Sequence, residues 1–201
     1  MGLNVKRKSD HIIYLDSCIY IAYYRNEVSS YGKSRIDAIA GLLEENENGG
    51  TTIVTSSLTI CEVIECLKQY KLDKEIEDFR NRFKFGLHKL KDVDPKVSER
   101  AAMYRHHYRM NPVRRPNRPK PFTNLTTPDA IHLATATLYQ CNDFWTFDGQ
   151  NPTADKHESI KPLWLNNKVG NDSIIITPPS MPQGVLPLIQ SAGSVPTSQK
   201  T

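Results

Sequence analysis

Short apolar runs alternate with helix-spaced apolar stripes along the chain. His11 to Leu15 (HIIYL) is a β-rich run that ends at Asp16. Ser34 is placed to cap a helix with Ile36, Ile39, Ala40 and Leu43 at helical spacing, and Gly49-Gly50 stops it. Thr51 to Thr55 (TTIVT) reads as a second buried strand. Ser56 or Ser57 then caps a helix to about Tyr70, with Ile60, Ile64 and Leu67 on one stripe. A third helix follows Asp73, turns Ile76, Phe79 and Phe83 inward, and ends at Gly86. Leu87 to Val93 reads as a short strand. Asp94-Pro95 is a helix cap followed by proline at the first helical position. Its helix carries Val97, Ala101, Tyr104 and Tyr108 at core spacing, with stacking on RNA bases the alternative for the two tyrosines.

Four prolines between Asn111 and Phe122 (NPVRRPNRPKPF) forbid regular structure and predict an extended loop. Thr127-Pro128-Asp129 opens the next helix, to about Tyr139. Phe144 to Phe147 is a strand ending at Asp148-Gly149, and Ser173 to Thr177 is the last. Strands alternating with helices predict a three-layer α/β/α sandwich around a mainly parallel central sheet. Sites on such sheets gather beyond the carboxyl ends of the strands. The expected organisation is one domain over residues 10–178, with an insertion at about 111–122. Residues 179–201 read as a loosely held Pro/Ser-rich tail with a VLPLI patch at 185–189.

Composition narrows the class. The chain has 201 residues, enough for one domain that folds without disulfide staples. No apolar run approaches the roughly 18 residues of a membrane span. The N-terminus lacks a long apolar signal region, and Lys6 does not fit a myristoylation pattern. Cys18, Cys61, Cys66 and Cys141 form no CxxC pair and read as reduced, buried cysteines of a cytoplasmic protein. Net charge is +4, but it is unevenly spread. Seven basic residues and no acid lie between Arg100 and Pro128, which leaves 19 basic and 22 acidic residues elsewhere, a net of −3. A mildly acidic body therefore carries one basic block, a fit for nucleic acid or another polyanion.

Four acids fall where a parallel sheet would collect them. Asp16 ends the first strand, Glu62 lies early in the helix after the second, Asp129 opens its helix, and Asp148 ends the FWTF strand. Singly, three have an ordinary reading, whereas Asp16 is harder to explain so because it closes an apolar strand. Asp129 favours a helix dipole, worth about 0.3–1 kcal/mol. Glu62 can be a solvated helix residue, with Glu65 one turn later as its rival, and Asp148-Gly149 can be a turn. Together they form a carboxylate cluster whose repulsion a hard divalent cation reverses. Mg²⁺ and Mn²⁺ take oxygen ligands, activate water and neutralise a leaving oxygen, so the cluster points to phosphodiester hydrolysis.

IIYLDSCIYIAY, TSSLTICEVIECL, TPDAIHLATA and FWTFDG resemble the successive motifs of PIN-domain ribonucleases, the family that includes VapC toxins. The resemblance covers about residues 10–180. It implies a Mg²⁺- or Mn²⁺-dependent endoribonuclease, frequent dimers, and in the toxins an antitoxin partner. It assigns Asp16, Glu62, Asp129 and Asp148 as catalytic metal ligands, and places Ser17 and Thr146 at supporting hydroxyl positions. The insertion before Asp129 and the tail are not part of the shared pattern.

The basic segment is the candidate RNA contact, through Arg109, Arg114, Arg115, Arg118 and Lys120, since arginines bind phosphate in a bidentate way and stack on bases. A solvated loop without a partner is the alternative. Adjacent helix positions turn His106 and His107 apart. His132, three residues after Asp129, can face the site, though its ordinary reading is a packed or solvated histidine. No phosphate-binding GxxxxGK[ST] loop and no GxSxG elbow occurs. The rival to a nuclease is a non-catalytic RNA-binding or protein-interaction module on the same fold.

Overall fold

The computed structural model describes residues 11–115, 120–150 and 159–180. β1 (Ile12–Leu15), β2 (Thr52–Ser56), β3 (His88–Lys91), β5 (Asp143–Trp145) and β9 (Ile175–Thr177) form one sheet in the order β3-β2-β1-β5-β9. Every pairing in it is parallel. The carboxyl ends of these strands therefore share one edge.

Alternation along the strands separates two cores. Ile13, Leu15, Ile53 and Trp145 face one side with α1 (Ser17–Tyr24), α3 (Lys33–Glu47), α4 (Ser57–Gln69) and α5 (Asp73–Lys84). Tyr14, Val54 and Phe144 face the other, against α6 (Pro95–Met110) and α7 (Thr127–Leu138). The protein is thus a three-layer α/β/α sandwich. A four-residue helix, α2 (Val28–Tyr31), joins α1 to α3. Outside the main sheet, β4 (Asn124–Leu125) pairs in parallel with β6 (Ser159–Ile160), and β7 (Lys168–Val169) pairs antiparallel with β8 (Asp172–Ser173).

Asp94 caps α6 by accepting from Val97 N at 2.9 Å, and Val97, Ala101, Tyr104 and Tyr108 are all buried. The expected stripe of α3 needs correction. Ala40 is exposed, and Ala38 and Leu42 are buried beside Ile36, Ile39 and Leu43. Gly32, at φ 87°, occupies the cap position, and Ser34 lies inside the helix. Helix α1 does not follow from periodicity, because SCIYIAYY is nearly all apolar and marks no single face. The cysteines are free, but only Cys141 is buried; Cys61 is exposed, and Cys18 and Cys66 are intermediate. Among the described residues no helix is long and apolar enough to cross a membrane.

The proline-rich insertion is not simply extended. Val113 and Phe122 exchange backbone hydrogen bonds of 2.8 Å in an antiparallel bridge, which closes the base of an arm. Arg118 and the 181–201 part of the tail lie outside the described residues.

Candidate metal and nuclease centre

Asp16 directly follows β1 and caps α1. Its Oδ1 accepts from Ser17 N at 2.7 Å, and its Oδ2 accepts from Thr146 Oγ1 at 2.7 Å. Only 4% of the residue is exposed. Thr146 Oγ1 also accepts from Asp148 N at 3.0 Å, so one hydroxyl ties the end of β1 to the turn after β5. Cys18, on the first turn of α1, places Sγ 3.3 Å from Asp16 Oδ2 and accepts from Phe147 N at 3.2 Å. Ligand atoms of Asp16, Cys18 and Asp148 all lie within 4.8 Å of one another. Donors about 2.0–2.4 Å from a common ion stand no farther apart than this, so the spacing accommodates one divalent cation.

Glu62 joins through an intermediary. His132 Nε2 lies 2.9 Å from Glu62 Oε2 and 3.7 Å from Asp16 Oδ1. A carboxylate only accepts, so Nε2 carries the proton. His132 Nδ1 meets Tyr14 Oη at 2.7 Å, and that phenol accepts from Ser56 N. Burial opposes charge on His132, but the Tyr14 contact and the Glu62 and Asp16 carboxylates outweigh it and raise its pKa. Burial likewise pushes Glu62 up. The hydrogen bond and charge of His132, with a further bond from Ser17, win and leave Glu62 lowered. Glu65 is exposed, so Glu62 is the acid that reaches this network.

Asp129, in the first turn of α7, is 8% exposed and exchanges hydrogen bonds with Thr126, the cap of that helix. Burial raises its pKa and the Asp16 carboxylate adds to the rise; Thr126, Lys161 and His132 pull the other way. Asp148 Oδ2 lies 3.7 Å from Lys161 Nζ. The four acids thus meet in one electrostatic neighbourhood at the carboxyl edge of the sheet. Asp16 and Asp148 share the immediate donor cluster, Glu62 is linked through His132, and Asp129 is coupled by charge.

The donor set suits a divalent ion, with hard carboxylate oxygens and one softer sulfur. Two participants go beyond the four acids. Cys18 follows Asp16 by two positions and lies in the same motif. His132 is one turn beyond Asp129, a spacing that puts both on one face of α7.

The basic residues divide. Arg109, Arg114 and Lys120 are exposed. Arg115 lies over the ring of Trp164, 4.1 Å from its centroid. Arg105 donates to Leu125 O at 3.1 Å.

Comparisons with known proteins agree with this architecture. No curated protein matches the chain. Among solved structures, VapBC2 from Rickettsia felis, bound to a DNA fragment from its promoter, is similar with a TM-score of 0.51 and 13% identity. The match covers 83% of this chain and 98% of that one. VapC20 of Mycobacterium tuberculosis, a toxin that cleaves the sarcin-ricin loop, has a TM-score of 0.45 and 16% identity, over 75% of this chain and 99% of that one. A toxin–antitoxin complex from Klebsiella pneumoniae has a TM-score of 0.44 and 21% identity, over 75% and 97%. The PIN domain family model matches residues 13–156, most of the chain and all four acids, and the chain belongs to the PIN domain family.

Proposed function

We propose that the protein is a metal-dependent endoribonuclease. The observation that carries this reading is the convergence of Asp16 and Asp148 with Cys18 and Thr146 at the end of β1, with Glu62 and Asp129 coupled to it. Asp16, Glu62, Asp129 and Asp148 would hold Mg²⁺ or Mn²⁺ directly or through water. Such an ion supplies water activation and charge neutralisation at the scissile phosphate. Thr146 fixes the Asp16 carboxylate, and Ser17 and His132 orient Glu62. Arg109, Arg114, Arg115, Arg118 and Lys120 would bind RNA phosphates. The domain reading is one nuclease domain over 10–178 followed by a tail.

The Rickettsia felis neighbour is a VapBC assembly, and a toxin role with an antitoxin-like protein partner is the extension to test. A homodimer and a cytoplasmic location belong to the same reading. The test is cleavage of a structured RNA by purified protein in Mg²⁺, Mn²⁺ or EDTA, beside a matched DNA. Cleavage of RNA that needs the metal and disappears in Asp16→Asn supports the proposal. RNA binding without cleavage in any metal would establish the non-catalytic module instead. A toxin should arrest growth when expressed without its partner; unaffected growth rejects that role.

A further inference from the structure

Trp164 connects the basic arm to the acidic cluster. Its indole Nε1 donates to Gly149 O at 3.1 Å, and Leu163 N donates to Asp148 O at 3.2 Å. Gly149 has φ +100°, and a Cβ there would lie 2.7 Å from Trp164 Nε1, so glycine lets the indole close on the turn after Asp148. On the arm side, Phe122 packs against Trp164 at 4.9 Å between ring centroids, and Arg115 stacks over the same indole. Both Arg115 and Trp164 remain partly exposed. Arg115 and Phe122, which flank the tip of the insertion before Asp129, therefore both pack on one aromatic ring that is bonded to the residue following Asp148.

An arginine that only attracted phosphate would project into solvent, as Arg114 does. Arg115 instead lies over an indole, its guanidinium carbon 4.1 Å from the ring centroid. One face of that guanidinium is covered and the side chain is still accessible, which is the geometry on which a nucleobase adds to a stack. A paired base is already stacked within its helix, so only an unpaired one can take this place.

We propose that Arg115 and Trp164 form a base-stacking platform that seats an unpaired nucleotide of the RNA beside Asp148. This rests on the ribonuclease reading above. The two residues position substrate, while the acids handle the reacting phosphate. Because Trp164 bonds to Gly149 O, the seated base is held in register with the turn that carries Asp148.

The test uses the full chain in EDTA, where no metal-dependent cleavage interferes. Two labelled single-stranded oligonucleotides of equal length are compared, oligoadenylate and the same ribose-phosphate backbone with stable abasic sugars. Wild type should bind oligoadenylate about tenfold more tightly than the abasic strand. Trp164→Leu should abolish that preference, weakening oligoadenylate binding far more than abasic binding. Arg115→Lys, which keeps the charge and carries little folding risk at a partly exposed site, should reduce the preference. Trp164→Phe, which keeps a ring but loses the bond to Gly149, should retain it. The proposal is overturned if wild type does not distinguish the strands, if Trp164→Leu keeps the preference, or if it weakens both strands equally, as a structural defect would. Failure of the nuclease reading shows separately, as absence of cleavage by wild type in Mn²⁺.

Discussion

His132 donates from Nε2 to Glu62 Oε2 across 2.9 Å, although 70 residues separate them. The imidazole is 2% exposed, and its other nitrogen is engaged by Tyr14. It therefore fixes the Glu62 carboxylate from a position that cannot itself swing. Groups that orient metal ligands are typically worth about 10–100-fold in metal affinity. His132→Leu should lower Mn²⁺ affinity by that range in calorimetry. It should also cost about 1–3 kcal/mol of stability, because Glu62 loses its donor. Unchanged Mn²⁺ affinity would separate His132 from the centre.

Burial first, and the charge of Asp16 after it, raise the pKa of Asp129, so the cluster gathers carboxylates that favour a neutralising partner. A cation that binds only the folded state adds stability, about 2.7 kcal/mol at a hundredfold excess over its Kd. Mn²⁺ should therefore raise the melting temperature of wild type. In Asp16→Asn that rise should vanish while the metal-free melting temperature is kept or increased. Equal Mn²⁺ stabilisation in both proteins, read by thermal denaturation, would move the metal elsewhere.

Cys18 brings a soft donor into a carboxylate cluster. Burial, with Asp16 and Asp148 nearby, keeps its thiol protonated, well above its ordinary pKa. A thiophilic ion should displace that proton, since thiolate ligands select soft metals. Cd²⁺ titrated into wild type should produce a sulfur-to-metal charge-transfer band in the ultraviolet, and Cys18→Ser should lack it. The same band in Cys18→Ser would assign it to another cysteine, such as the exposed Cys61.

Acid sensitivity should arise partly far from this centre. His88 is buried between Tyr20 and Phe83, and burial, aided by Arg82, lowers its pKa to about 3. In the unfolded chain a histidine titrates near about 6.5. The neutral folded form therefore contributes stability that is full above about pH 6.5 and is lost as pH falls toward 3. The full shift corresponds to a few kcal/mol, at about 1.4 kcal/mol per pH unit. His88→Phe should flatten this part of the stability profile in urea titrations between pH 4 and 7. An unchanged slope would place the acid sensitivity in other groups.

Elements whose signals are local were legible in the residues alone. The Asp94-Pro95 cap and the spacing of Val97, Ala101, Tyr104 and Tyr108 specify α6 and its buried face, because a helix repeats every 3.6 residues whatever it packs on. Apolar runs at β1, β2 and β5 imply strands buried on both faces, hence a parallel sheet, and each of the four acids stands near a strand end or a helix start. Where apolarity was continuous, as in SCIYIAYY, no period marked the helix.

Which side chains meet depends on strand pairing and helix packing. Parallel pairing of β1 with β5 brings Thr146 to Asp16 across 130 residues and sets Cys18 beside both. The packing of α7 over β2 delivers His132 to Glu62 and so distinguishes it from Glu65. The arm before Asp129 reads only as a basic, proline-broken stretch until Trp164 pins it to the turn after Asp148. Local chemistry is written in neighbouring residues, whereas a site assembled from five chain segments exists only once the sheet has closed their separations.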